Sequence, residues 1–262
     1  MNGVVDIGFV ELFAAVALMA IAGFVSLRLE LGQGKNIAIS TLRCVIQLLA
    51  CGFLLNYLFA WQTWWLVILV FLAMAIFATQ IAISRVKSGV MGLAPSVFLS
   101  IFVSSVVVGA IVIEGVIHAE PWYSARILIP IGGMILGNAM SSIAVALDRM
   151  FSDMDARTDE MSMLVALGAT PHEAAHMSLR AAIGAGMVPV LASMSAAGMV
   201  FIPGMMSGQI LAGADPFVAA KYQIVVLLMI SAANTISIVM ACYLTYRKRF
   251  SPEGYYLDKG IR

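Results

Sequence analysis

Seven stretches of this chain are apolar enough and long enough to cross a bilayer, and that limits its fold more than any motif does. A span takes about 20 mostly apolar residues. Residues 6–27, 37–59, 64–84, 92–115, 126–147, 186–212 and 222–246 qualify. In lipid, every backbone N–H and C=O must be satisfied within the protein, which leaves helices or a closed barrel. A barrel needs strands of about ten alternating residues, and the apolar runs here do not alternate. The pattern predicts an all-α, polytopic helical bundle of about seven spans, forming a single transmembrane domain over residues 1–262. Only 11% of the residues are charged, against about 25% in soluble domains. A net charge of +1 points to no nucleic-acid partner. Cys44, Cys51 and Cys242 lie inside apolar runs without metal or disulfide spacing. The N-terminus lacks the basic start and cleavage site of a removed signal peptide, so its first run is expected to stay as a span.

Lys and Arg set the expected orientation, because cytoplasmic loops are enriched in them. Arg28, Lys35, Arg85, Lys87, Arg149, Arg157 and Arg180 follow the first, third and fifth spans. Arg247, Lys248, Arg249, Lys259 and Arg262 fill the tail, residues 247–262. The opposite side has only Arg126 and Lys221. This bias predicts an outside N-terminus and a cytoplasmic C-terminus. Trp61, Trp64 and Trp65 fit an outer interface.

The longest polar passage between apolar runs is residues 148–185, expected to be a cytoplasmic loop. It opens with Asp153, Asp155, Asp159 and Glu160, which read mostly as solvated surface or as a face for a cytosolic partner. Leu167–Ile183, LGATPHEAAHMSLRAAI, is its helical part. Gly168-Ala169-Thr170-Pro171 reads as a helix stop and restart, with Thr170 as cap and Pro171 at the first helical position. His172-Glu173-Ala174-Ala175-His176 matches the H-E-x-x-H zinc pattern, which places two imidazoles on one helix face with Glu173 as base. An intramembrane metalloprotease is therefore a rival reading. It is weakened by the position just after a proline cap and by the lack of an evident third ligand on the same side.

Within the spans, Arg43 either snorkels to the cytoplasmic face or makes a buried functional contact. Glu114, His118 and Glu120, in an outer loop, could hold a divalent metal. Gly133 and Gly137 form a small-xxx-small face, and Asn138 is a polar group near mid-membrane. Pro203-Gly204 is expected to break the sixth span, and a break at membrane depth must face protein or a water-filled cavity. Among 18 methionines, Met134, Met140, Met199, Met205 and Met206 sit in or beside the glycine-rich spans. They serve as adaptable packing or as soft metal ligands. The sequence contains no G-x-x-x-x-G-K-[ST], so any ATPase must be another chain.

Four blocks carry a family resemblance: LGATPHEAAHMSLRAAI, IPIGGMILGNAM (Ile129–Met140), PGMMSGQILAGADP (Pro203–Pro216) with KYQI, and ACYLTYRK (Ala241–Lys248). Together they resemble the FetB (YbbM) type of iron-export ABC transporter permease, itself similar to plant aluminium-tolerance permeases. The resemblance implies a multi-pass bacterial inner-membrane permease, not an enzyme, that exports iron or a related metal. It implies pairing with a FetA-type ATP-binding subunit, which holds ATP and Mg; this chain would bind no cofactor. Leu167, Gly168, Ala169, Thr170, Pro171 and Glu173 would then couple to that subunit, and two permease copies would flank a central path. The expected path is lined by Asn138, Met140, Pro203, Gly204, Met205, Met206 and Gln209. A transporter or channel working without ATP is the third reading.

Overall fold

The computed structural model describes residues 8–257 apart from 31, 62, 88–89 and 119. The expected tail charges Lys259 and Arg262 and the start of the first expected span lie outside the described residues. The described chain is all helical. Seven of its helices are long and apolar enough to cross a membrane, as the hydropathy pattern predicts.

The chain divides into two compact units. The first, residues 1–63, contains α1 (Phe9–Arg28) and α2 (Gly34–Trp61), which pack against each other. Arg43 is exposed on α2. The second, residues 64–262, contains α3 (Trp64–Ser84), α4 (Ala94–Val112, continued by a π-helical turn Ile113–Ile117), α5 (Ala125–Ala156), α6 (Thr158–Ala166), α7 (Pro171–Ala196), α8 (Gly204–Leu211) and α9 (Pro216–Thr245). A single 3₁₀ turn, Tyr246–Arg249, closes α9.

In the second unit α5 is the central helix, packed by α3, α4, α7 and α9. Its buried residues, among them Ile135, Ala139, Ile143, Ala146, Leu147 and Met150, recur at helical spacing. A close backbone crossing is at Gly186 of α7. A Cβ there would lie 2.9 Å from the Ala146 Cβ, 3.0 Å from the Ser142 carbonyl and 3.1 Å from Ile238 of α9. Glycine is required for that approach. One turn away, the buried Asn234 amide of α9 donates to the Ser142 hydroxyl of α5 at 3.0 Å, a polar tie between spans.

The sixth span differs from expectation. It is α7, Pro171–Ala196, instead of residues 186–212. His172, Glu173, His176 and Arg180 lower the hydropathy of its first turns, which slides a hydropathy window downstream. The buried face Ala174, Ala175, Ser178, Leu179, Ala182, Gly186 and Val190 nonetheless packs without interruption. Pro203 consequently breaks no span: it is the N-cap of the short α8, after the turn that follows α7. The proline inside the sixth span is Pro189.

Helix lengths bear on what the polar loop is. At about 1.5 Å per residue, α5 is about 48 Å long and α7 about 39 Å, against about 30 Å of hydrocarbon. Much of residues 148–185 is therefore the extension of two spanning helices, bridged by α6, and only a short turn is free of helix.

Candidate functional site: the end of the bundle around the α6–α7 turn

The α6–α7 turn is held at both sides. At the end of α6, the Gly168 N–H donates to the Val165 carbonyl (2.9 Å) and the Ala169 N–H to the Leu164 carbonyl (3.0 Å). This is the Schellman closure, and it puts Gly168 at φ +94°, where a side chain is strained. At the start of α7 the Thr170 N–H donates to Glu173 Oε2 (2.8 Å), and the Glu173 N–H donates to Thr170 Oγ1 (3.3 Å). With Pro171 at the first helical position this is a capping box. The cap expected from the sequence is present. Leu167, between the two closures, is 78% exposed.

Hydrogen bonds and ion pairs join this turn to the spans. Ser178 of α7 donates to Asp153 of α5 at 2.7 Å. Asp153 also faces Arg149 (3.7 Å) and Arg157 (3.6 Å). Arg157, at the α5–α6 joint, donates to Glu160 at 2.7 Å, which holds the Glu160 carboxyl below the usual carboxylate range. The same hydrogen bond raises the Arg157 guanidinium above its ordinary value. Arg249, only 2% exposed, pairs with Asp155 at 2.6 Å and lies over the Phe151 ring. Asp153 and Asp155 are thus structural ties, not the solvated surface expected of most of these acids. Arg249, read from the sequence as one of several tail charges, is buried.

The α3–α4 loop and the tail meet here as well. The Lys87 N–H donates to Asp148 (3.1 Å), and the Lys248 ammonium donates to the Gly92 carbonyl (2.6 Å). Beyond Arg249 the chain turns back, with Phe250 bridging to Tyr256. Gly254 comes close enough that a Cβ on it would touch Pro171 at 3.8 Å.

The two histidines of HEAAH lie in the first turns of α7, both exposed, with ring centroids 6.2 Å apart. His172 stacks on Tyr243 of α9 at 5.8 Å. Glu173 is engaged in the capping box instead of pointing free as a base. Among the described residues no group of three or more His, Cys, Asp or Glu side chains could hold a metal ion. The metalloprotease reading therefore lacks a third ligand there. Glu114, His118 and Glu120 are likewise not gathered into a metal site.

The expected path residues divide between two places. Asn138 is exposed on α5, its amide turned onto the Met134 carbonyl of its own helix (2.8 Å). Met140, two positions on and about 200° around the helix, packs against the main core. Pro203, Gly204, Met205, Met206 and Gln209 belong to α8 and its cap, and α8 packs on α9. Met205 reaches a second core cluster with Ile131, Ile135, Val190 and Val226.

Residues 9–250 match the family described as "Uncharacterised protein family (UPF0014)". The chain is 32% identical to "UPF0014 membrane protein YjkA" of Bacillus subtilis over 93% of its length and 96% of that protein. It is 34% identical to "Probable iron export permease protein FetB" of Escherichia coli, over 92% of each chain. It is 30% identical to "Protein ALUMINUM SENSITIVE 3" of Arabidopsis thaliana, over 93% of this chain and 88% of that one. No solved structure matches the chain. Seven membrane-length helices and a match over nearly the whole chain lead to one conclusion: this protein belongs to the UPF0014 family of membrane proteins.

Proposed function

We propose that the chain is the permease subunit of an ATP-binding-cassette transporter that exports iron or a related metal from the cytoplasm. Hydrolysis takes place on a separate FetA-type subunit that holds ATP and Mg. The observation that carries the proposal is the exposed turn Leu167–Pro171, closed on both sides and continuous with a spanning helix. A flexible loop would absorb a push from a partner, whereas this turn passes it to α7 and, through Ser178–Asp153, to α5. The name of the Escherichia coli relative supports the cargo.

In this reading Leu167, Gly168, Ala169, Thr170 and Pro171 dock on the ATP-binding subunit, and Glu173 holds the turn's shape. The basic end of the bundle faces the cytoplasm of a bacterial inner membrane, and the N-terminus lies outside. Two copies flank the path, because an ATP-binding dimer offers two docking grooves. The exposed Asn138 of α5 and the α8 segment with Met205, Met206 and Gln209 line it, while Met140 supports it from the core side.

The test is ATP hydrolysis by the chain reconstituted in nanodiscs with a FetA-type subunit, with and without ferrous iron. Stimulation by iron that the ATP-binding subunit alone does not show is expected. Hydrolysis indifferent to both chain and iron would overturn the proposal.

A further inference from the structure

At the end of the second unit opposite the α6–α7 turn, α3, α4 and α5 enclose a cavity of about 410 Å³, within the size range of small-molecule sites. Its walls are almost entirely apolar. Phe71 and Phe102 pack against each other in one wall, with ring centroids 6.3 Å apart. Gly132 has no Cβ, and one placed there would meet the Phe71 ring at 2.6 Å, so Phe71 can approach α5 closely. Val106 and Ala110, both exposed on α4, form the open side. That side faces away from the unit's core.

The mouth is different in character. Glu114 lies in the π-helical turn Ile113–Ile117, and Trp122 also lines the cavity. The wider turn departs from the α-helical repeat, and such turns recur at functional sites. The site therefore has a carboxylate and an indole at one end and a hydrocarbon-like interior below. Glu114 and Phe102 are about 18 Å apart along the helix, at about 1.5 Å per residue. One leaflet of hydrocarbon is about 15 Å thick. Trp at the level of the headgroups is where aromatic belts lie.

We infer that this cavity binds one phospholipid with a primary-ammonium headgroup, its ammonium on Glu114 at the end that Trp122 also lines and one acyl chain laid along the wall that Phe71 and Phe102 form. A protonated amine gives Glu114 a charge-assisted hydrogen bond and meets the indole face favourably. An anionic head would be repelled by the same carboxylate. The buried Ser105 hydroxyl also lines the wall and has no hydrogen-bond partner. An acyl chain asks nothing of it, because a helical serine can turn onto the carbonyl one turn back.

The experiment uses the full chain, delipidated in detergent and titrated with phosphatidylethanolamine or phosphatidylglycerol of matched acyl chains. Native mass spectrometry reads the bound lipid. One phosphatidylethanolamine per chain is expected to be retained about tenfold more tightly than phosphatidylglycerol, the ratio one charged hydrogen bond supplies. Glu114→Gln should abolish that preference, and its position is exposed, so folding should survive. Ala110→Trp should fill the open side and lower occupancy by both lipids with helix content unchanged. Ser105→Ala should change nothing. Equal retention of the two lipids by the wild type, or a preference that survives Glu114→Gln, would overturn the inference. Loss of binding in Ser105→Ala would place a polar group deep in the cavity and so overturn the lipid assignment.

Discussion

The crossing at Gly186 yields the sharpest test of how the second unit is held together. Replacing Gly186 by alanine puts a methyl group 2.9 Å from Ala146, 3.0 Å from the Ser142 carbonyl and 3.1 Å from Ile238. Ordinary carbon contacts lie at about 3.5–4.0 Å. Two of the three obstacles belong to α5 close to its backbone and cannot rotate away. The helices must part by about half an ångström or more, which loosens Ala182 and Leu179 on the same face of α7. Overpacking of this kind costs about 1–3 kcal/mol. It is offset in part by alanine's helix propensity, worth about 1 kcal/mol over glycine. Gly184 is the control: it lies in the same helix, and a Cβ there meets nothing within 4 Å. Gly184→Ala should therefore raise the thermal midpoint in detergent, and Gly186→Ala should lower it relative to that control. If the two variants unfold together, α7 is not held against α5 as closely as described and the reasoning fails.

Four further outcomes are expected. Arg249→Met should destabilise the chain by about 1.5–3 kcal/mol, because it removes the charged hydrogen bond to an Asp155 carboxyl that is only 17% exposed; much of the loss should return in the double variant with Asp155→Asn, read by denaturant unfolding. Gly168→Val should strain the Schellman closure by about 1–2 kcal/mol and uncouple ATP hydrolysis from transport while the protein stays folded; normal coupling would count against the docking turn. Replacing both His172 and His176 by alanine should leave metal transport intact, measured as iron efflux from proteoliposomes. The Glu160 carboxyl is held low by Arg157, so its contribution is complete above the ordinary carboxyl value of about 4.3 and fades as pH falls through the depressed one. Pepsin nicking near the α5–α6 joint should thus rise on acidification below about pH 4 in the wild type more than in Arg157→Ala, the difference shrinking at high salt because Glu160 is exposed.

Much of this architecture was legible because lipid enforces it. Six of the seven spans could be placed by apolar length alone, and the Thr170–Pro171 restart is a local pattern whose chemistry needs no tertiary information. The sixth span differs for a physical reason: hydropathy averages over all faces of a helix, whereas the first turns of α7 carry exposed polar residues on one side and an apolar face packed in the bundle on the other. The same blindness hid Arg249, whose charge looks like its neighbours' until the chain's return brings it against Asp155. The Ser142–Asn234 tie joins residues far apart in sequence, and no local pattern announces it. Asn138 was legible as a polar group in a span. That it bonds its own helix, and so leaves its face open, depends on which neighbour is absent beside it.

The position of the Gly186 crossing also sets a mechanical ratio. From that contact to the start of α7 at Pro171 is about 22 Å, and to its other end at Ala196 about 15 Å. A rigid tilt of α7 by about 10° around this fulcrum would swing the turn by about 4 Å and the far end by about 2.6 Å, in the opposite sense. If the turn docks a partner as proposed, the helix acts as a lever with its long arm on the side of that turn: it trades travel for force, and a push on the turn becomes a shorter, stronger displacement at the far end of α7.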